Sequence, residues 1–131
     1  MKKGYKDNIE KLTEGNDNFR KVLYTGEHCQ LVLMSLLPNE EIGMEVHPDN
    51  DQFFRFEKGT GKVIINETEY EVEGGDAVIV PCGANHNVIA GDDGLKLYTI
   101  YSPAHHQDGV VRATKAEAEE NGPEFDGKTT E

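Results

Sequence analysis

Gly75-Asp76-Ala77-Val78-Ile79-Val80-Pro81-Cys82-Gly83-Ala84-Asn85-His86 is a strand held between two turns. Gly75 and Asp76 punctuate the chain, 77–80 is a short apolar run rich in β-branched residues, and Pro81-Cys82-Gly83 breaks it again. The proline turn delivers His86 to the start of the next run. There His86, Val88 and Ala90 fall two apart and share one face.

The same rhythm extends in both directions. Short runs rich in Val, Ile, Phe and Tyr occupy 19–24, 30–37, 42–47, 52–57, 62–65, 70–72, 77–80, 87–90 and 95–101, with Gly, Asn, Asp or Pro between them. Nothing in that span has the length or periodicity of a crossover helix, which disfavours a parallel α/β sheet and predicts an all-β sandwich or barrel. Outside it, 7–14 reads as a short helix carrying Ile9 and Leu12 on one face. Thr114 and Glu117 form a capping box that starts a helix over 115–120. The organisation expected is an N-terminal extension, 1–18, a β-barrel, 19–112, and a short helix with a flexible tail, 113–131.

With 131 residues the chain builds one core. Its 25 acidic against 13 basic residues give a net charge of -12, which repels nucleic acid and anionic lipid. No apolar run approaches the roughly 20 residues of a membrane helix, and no secretory leader is evident after Met1, so a cytoplasmic location is expected. Cys29 and Cys82 are expected to be free thiols, with Cys82 buried and inert.

Alternation then selects the chemistry. Over 42–47, Glu45 and His47 point one way with Gly43, and Ile42, Met44 and Val46 the other. Gln52, Phe54 and Phe56 share a face. Glu45, His47, Gln52 and His86 can therefore converge inside a barrel, and imidazole, carboxylate and amide oxygen are all ligands for a divalent first-row metal. The second apolar face, Ile42, Met44 and Val46, suits a buried contact with a neighbouring layer or a second subunit. His105 and His106 follow the last strand beside Pro103. They read either as a polar surface pair or as a loop folded over the barrel mouth, with at most one imidazole, taken as His106, reaching the cavity as ligand or general base.

These residues resemble the cupin family, and specifically its small single-domain members labelled mannose-6-phosphate isomerase-like. The second cupin motif, G-x5-P-x-G-x2-H-x3-N, is matched at Gly75, Pro81, Gly83 and His86, with Ala90 in place of the asparagine. The first motif is looser: Glu45 stands where its first histidine would, His47 is the second, Gln52 replaces its glutamate and Gly59 closes it. The resemblance covers about 30–101 and implies a double-stranded β-helix, or jelly-roll barrel, with short terminal extensions.

It also implies one divalent metal ion (Mn, Fe, Ni, Zn or Cu) held by His47, His86, Glu45 and Gln52, with Glu45 and His106 as candidate catalytic groups. The partner expected is a small-molecule ligand or substrate, and the state a homodimer, as in other small cupins. The function expected is a metal-dependent enzyme on a small polar metabolite, of isomerase, lyase or dioxygenase type. The alternative is a non-catalytic, metal-dependent binder of a sugar-like ligand.

Overall fold

The computed structural model describes residues 1–131. In chain order its elements are α1 (Ile9–Gly15), β1 (Arg20–Thr25), β2 (Gln30–Leu36), β3 (Glu45–Val46), β4 (Asp51–Ile65), β5 (Thr68–Glu73), β6 (Ala77–Val80), β7 (Asn85–Ser102), β8 (Val111–Arg112) and α2 (Lys115–Glu120). No helix is long and apolar enough to cross a membrane.

Two long antiparallel strands organise everything else. β4 and β7 pair along nearly their whole length, from Asp51 opposite Ser102 to Ile65 opposite His86, interrupted by bulges at 56–58 and 59–61. Each strand therefore serves two layers. In one layer the first half of β4 and the second half of β7 are flanked by β6 and by β2, β1 and β8. In the other, the far halves are flanked by β5 and β3. This is a jelly-roll barrel, all-β with two short terminal helices, as the sequence predicts.

The strands crease where glycine permits it. Gly59 adopts φ 93°, and a Cβ there would sit 2.1 Å from the Gly94 carbonyl oxygen. The two backbones touch because neither residue has a side chain, and any L-residue would also be strained at that φ. The glycine-rich stretches 58–61 and 91–94, expected as turns between separate strands, are thus bulges within continuous ones. A bulge and a turn draw on the same positive-φ residues, so sequence does not separate them.

The core lies between the layers. Phe54, Phe56, Val63, Val88, Leu95 and Leu97 are essentially inaccessible. The predicted faces hold: Gln52, Phe54 and Phe56 are buried together, as are His86, Val88 and Ala90. The strand expected over 42–47 shrinks to Glu45–Val46. Ile42 packs on the core, whereas Met44 and Val46 are exposed, so within a single chain that face is divided.

The termini bear out one expectation, a short N-terminal helix, and correct another. In α1, Asn8 caps the first turn by accepting from Lys11 N–H, and Thr13 rather than Ile9 or Leu12 is the fully buried residue. The tail, expected to be loose, lies along the barrel. Gln107 N–H donates to Pro123 O, Phe125 N–H to His105 O and Thr130 N–H to Thr25 O. Its charge predicts solvation correctly, but a polar segment also docks if its backbone finds unpaired edge groups.

Candidate metal centre

β3 and β7 pair so that Glu45 stands directly opposite His86. The turn that begins at Pro81 is fastened to the end of β3: Gly83 N–H donates to His47 O at 2.9 Å, and Cys82 N–H donates to Asp51 Oδ1 at 2.9 Å. These bonds set His47 beside His86 across the barrel mouth. The two rings lie 5.1 Å apart, and both residues are buried.

Three of the four residues predicted as ligands form one cluster. The donor atoms of Glu45, His47 and His86 all lie within 4.8 Å of one another. The protonation pattern suits coordination. His86 Nδ1 faces the Ala84 carbonyl at 3.1 Å, which fixes the proton on that nitrogen and leaves Nε2 with a free lone pair. His47 Nε2 stands 3.0 Å from Glu45 Oε2, yet it is sealed from solvent and makes no hydrogen bond with acceptable alignment. The two groups face each other as an ion pair, and both donors can turn to one ion placed between them and His86. The set, two imidazoles and one carboxylate, fits a divalent first-row metal.

Gln52, the fourth predicted ligand, lies alongside. It is the cross-strand neighbour of Tyr101, whose ring meets His47 edge-on at 5.7 Å. Its amide nitrogen donates to Thr99 Oγ1, while its Oε1 is buried with no partner. That orphaned acceptor can receive a hydrogen bond from a metal-bound water or complete the ligand set.

The loop after β7 folds over the mouth, and both its histidines reach the site. The His105 ring lies 4.4 Å from His47 and stacks on Tyr101. His106 is buried, with Nε2 3.3 Å from the Tyr101 hydroxyl. The loop is held by Gln30, fully buried, whose Oε1 accepts from the N–H groups of His105 and His106 and whose Nε2 donates to His106 O. Sequence offers no sign of this clamp, because Gln30 is 75 residues away from His105.

Burial governs the charges here. It pushes the His106 imidazolium down to about 2, helped by Arg20, and lowers His105 and His86 as well. All three are neutral at physiological pH, the state in which imidazole binds metal. Burial alone would raise Glu45, but His47, Arg20 and His86 around it outweigh that and lower it. Burial pushes the Tyr101 hydroxyl up, so it stays protonated.

Arg20 is the site residue that sequence reasoning missed. It lines the same small cavity as Glu45, His105 and His106, which has a volume of about 210 Å³. A larger cavity of about 790 Å³, lined by Thr60, Lys62, Glu71, Glu73 and Asp76, contains none of the histidines. Both cysteines are free, as expected, but exposed; Cys82 Sγ donates to Pro48 O rather than lying buried.

Comparison with known proteins agrees with this fold. The Cupin domain matches residues 32–101. The uncharacterised protein YrkC of Bacillus subtilis is 45% identical over 118 residues, covering 85% of this chain and 63% of YrkC, so the chain spans less than two thirds of that relative. The uncharacterised protein L612 of Acanthamoeba polyphaga mimivirus is 41% identical over 123 residues, covering 90% of this chain and 77% of L612. The crystal structure of BH2720 from Bacillus halodurans superposes with a TM-score of 0.89 at 41% identity, covering 91% of this chain and 96% of that one. With its layers creased at Gly59 and its histidines converging beneath the Pro81 turn, this chain belongs to the cupin family.

Proposed function

We propose that this chain is a metal-dependent enzyme acting on a small polar metabolite, of isomerase, lyase or dioxygenase type. One divalent ion (Mn, Fe, Ni, Zn or Cu) is held by Glu45, His47 and His86, with Gln52 beside it. The observation that carries the reading is the convergence of those three donors, two buried imidazoles and a half-exposed carboxylate, with His47 Nε2 facing Glu45 Oε2 at 3.0 Å. When bound, such an ion polarises a carbonyl or hydroxyl oxygen of the substrate. Glu45 and His47 keep their lone pairs turned inward, and Ala84 O keeps the His86 tautomer fixed. His105, half-buried against His47 and open to the cavity, is the better placed of the loop histidines to accept or return a proton at the substrate. His106 holds the Tyr101 hydroxyl in position.

Elemental analysis tests this on protein purified without added metal, chelator or a nickel column, followed by turnover against sugars, sugar phosphates, keto acids and diketones. About one equivalent of metal per chain with turnover of a panel member is expected. A folded protein that neither carries nor takes up metal would sink the proposal. Metal with saturable ligand binding and no turnover would establish a binding module instead.

A further inference from the structure

Arg20 lies on β1, more than nine-tenths buried; its side chain makes no hydrogen bond or ion pair with the protein, and its Nε is sealed from solvent without a partner. Its one close partner is the face of Phe19, with the guanidinium carbon 5.5 Å from the ring centroid. Lys115, the other cation on the cavity wall, is already paired with Glu119 at 3.8 Å. Arginine does not shed its proton when buried, so an unpaired guanidinium facing a cavity calls for an anion from outside the chain. The carboxylates nearest at hand, those of Glu45, Glu119 and Glu124, line the same cavity, but none comes within ion-pair distance of Arg20.

We infer that Arg20 is the specificity-determining residue for the substrate, which carries a single carboxylate: the guanidinium holds that group while the rest of the molecule reaches the Glu45 side of the cavity. The inference rests on the metal-centre reading above. Size supports it, since about 210 Å³ is below the roughly 300–1,000 Å³ of drug-sized sites and admits only a molecule of a few heavy atoms. Charge supports carboxylate over phosphate. One guanidinium matches one planar carboxylate fork to fork, whereas a dianionic phosphate would meet three glutamates in a confined space with too little positive charge to offset them.

The test uses the full chain loaded with zinc. The Arg20 Nε–Hε resonance is followed while 3-hydroxypropionate, its neutral amide or inorganic phosphate is added. The carboxylate should move the resonance saturably and the amide should not. Arg20→Met should weaken carboxylate binding at least tenfold while the chain still takes up one equivalent of zinc. Because it deletes an unpaired buried cation, the ligand-free variant should melt no lower than wild type. Arg20→Lys, which keeps the charge and loses the fork, should fall between the two. Equal carboxylate binding by wild type and Arg20→Met overturns the inference, and so does a stronger response to phosphate than to carboxylate. Failure to take up zinc defeats the metal centre separately. A carboxylate response that depends on Arg20 in the metal-free chain would then still uphold the anion site, and its absence would overturn it.

Discussion

His86→Ala isolates the metal term from every other contribution of that residue. If free metal stands a hundredfold above Kd and binds only the folded state, it stabilises the wild type by about 2.7 kcal/mol. Unfolding entropy of about 2.1 cal/mol/K per residue over 131 residues comes to about 275 cal/mol/K, so the wild-type Tm should rise by about 10 °C on loading. Losing a residue that merely orients a ligand costs about 10–100-fold in affinity, so losing one of the three proposed ligands should cost at least about 100-fold. At the same metal concentration the variant then gains only about 0.4 kcal/mol, and its shift shrinks to about 1–2 °C. His86 is also buried, and truncating it leaves a void and an unpaired Ala84 carbonyl, which lower the melting point of the metal-free variant. That penalty is present with and without metal and cancels in the difference. Calorimetry of both proteins, chelator-dialysed and then zinc-loaded, measures it. A His86→Ala variant that keeps a shift near the wild-type value would refute the assignment of His86 as a ligand.

Other perturbations separate scaffold from site. Gly59→Ala should cost at least about 3 kcal/mol in urea unfolding, combining left-handed strain with a Cβ driven against the Gly94 oxygen; a loss under about 1 kcal/mol would mean that the crease is not rigid. Gln30→Leu leaves the N–H groups of His105 and His106, the His106 carbonyl and the Thr25 hydroxyl without their partner, and should cost about 3 kcal/mol or more while shifting the His105 ring resonances; unshifted rings would show that the loop holds itself. The Glu131 carboxylate accepts from Tyr24 Oη and from the N–H groups of Lys3 and Gly4, which lower its pKa. A depressed carboxylate contributes its stability above the ordinary glutamate range and loses it as pH falls through the folded value. Protection of the Lys3 and Gly4 amides, relative to their intrinsic exchange rates, should thus persist through neutral pH and be lost only in acid, below the ordinary glutamate range; loss of protection near neutrality would contradict the clasp.

What could be read in advance depended on how local the cause was. The Gly75–His86 stretch forms its strand and proline turn from neighbouring residues, so His86 was legible, and period-two alternation placed Glu45, His47 and Gln52 on interior faces. The creases at Gly59 and Gly94 were misread as turns because a bulge and a turn require the same residue. Arg20 was invisible, since one arginine on a strand looks like surface until its lack of any partner is seen. The tail carried the composition of a disordered segment; its docking depends on unpaired groups on β1 and the His105–Gln107 loop, which its own residues do not encode.

The Glu131 clasp on Lys3 and Gly4 brings the two ends of the described chain into contact. Geometrically the polypeptide is a ring with one cut in it, and the position of that cut is arbitrary with respect to the core. Joining the ends with a short linker and reopening the ring at the exposed Asn66–Glu67 turn between β4 and β5 would preserve every strand pairing around the histidines. Both the clasp and the new opening adjoin the histidine end of the barrel, through Thr25 and Gln30 on one side and Asn66 and Asn85 on the other, so cargo fused at either would flank the same mouth.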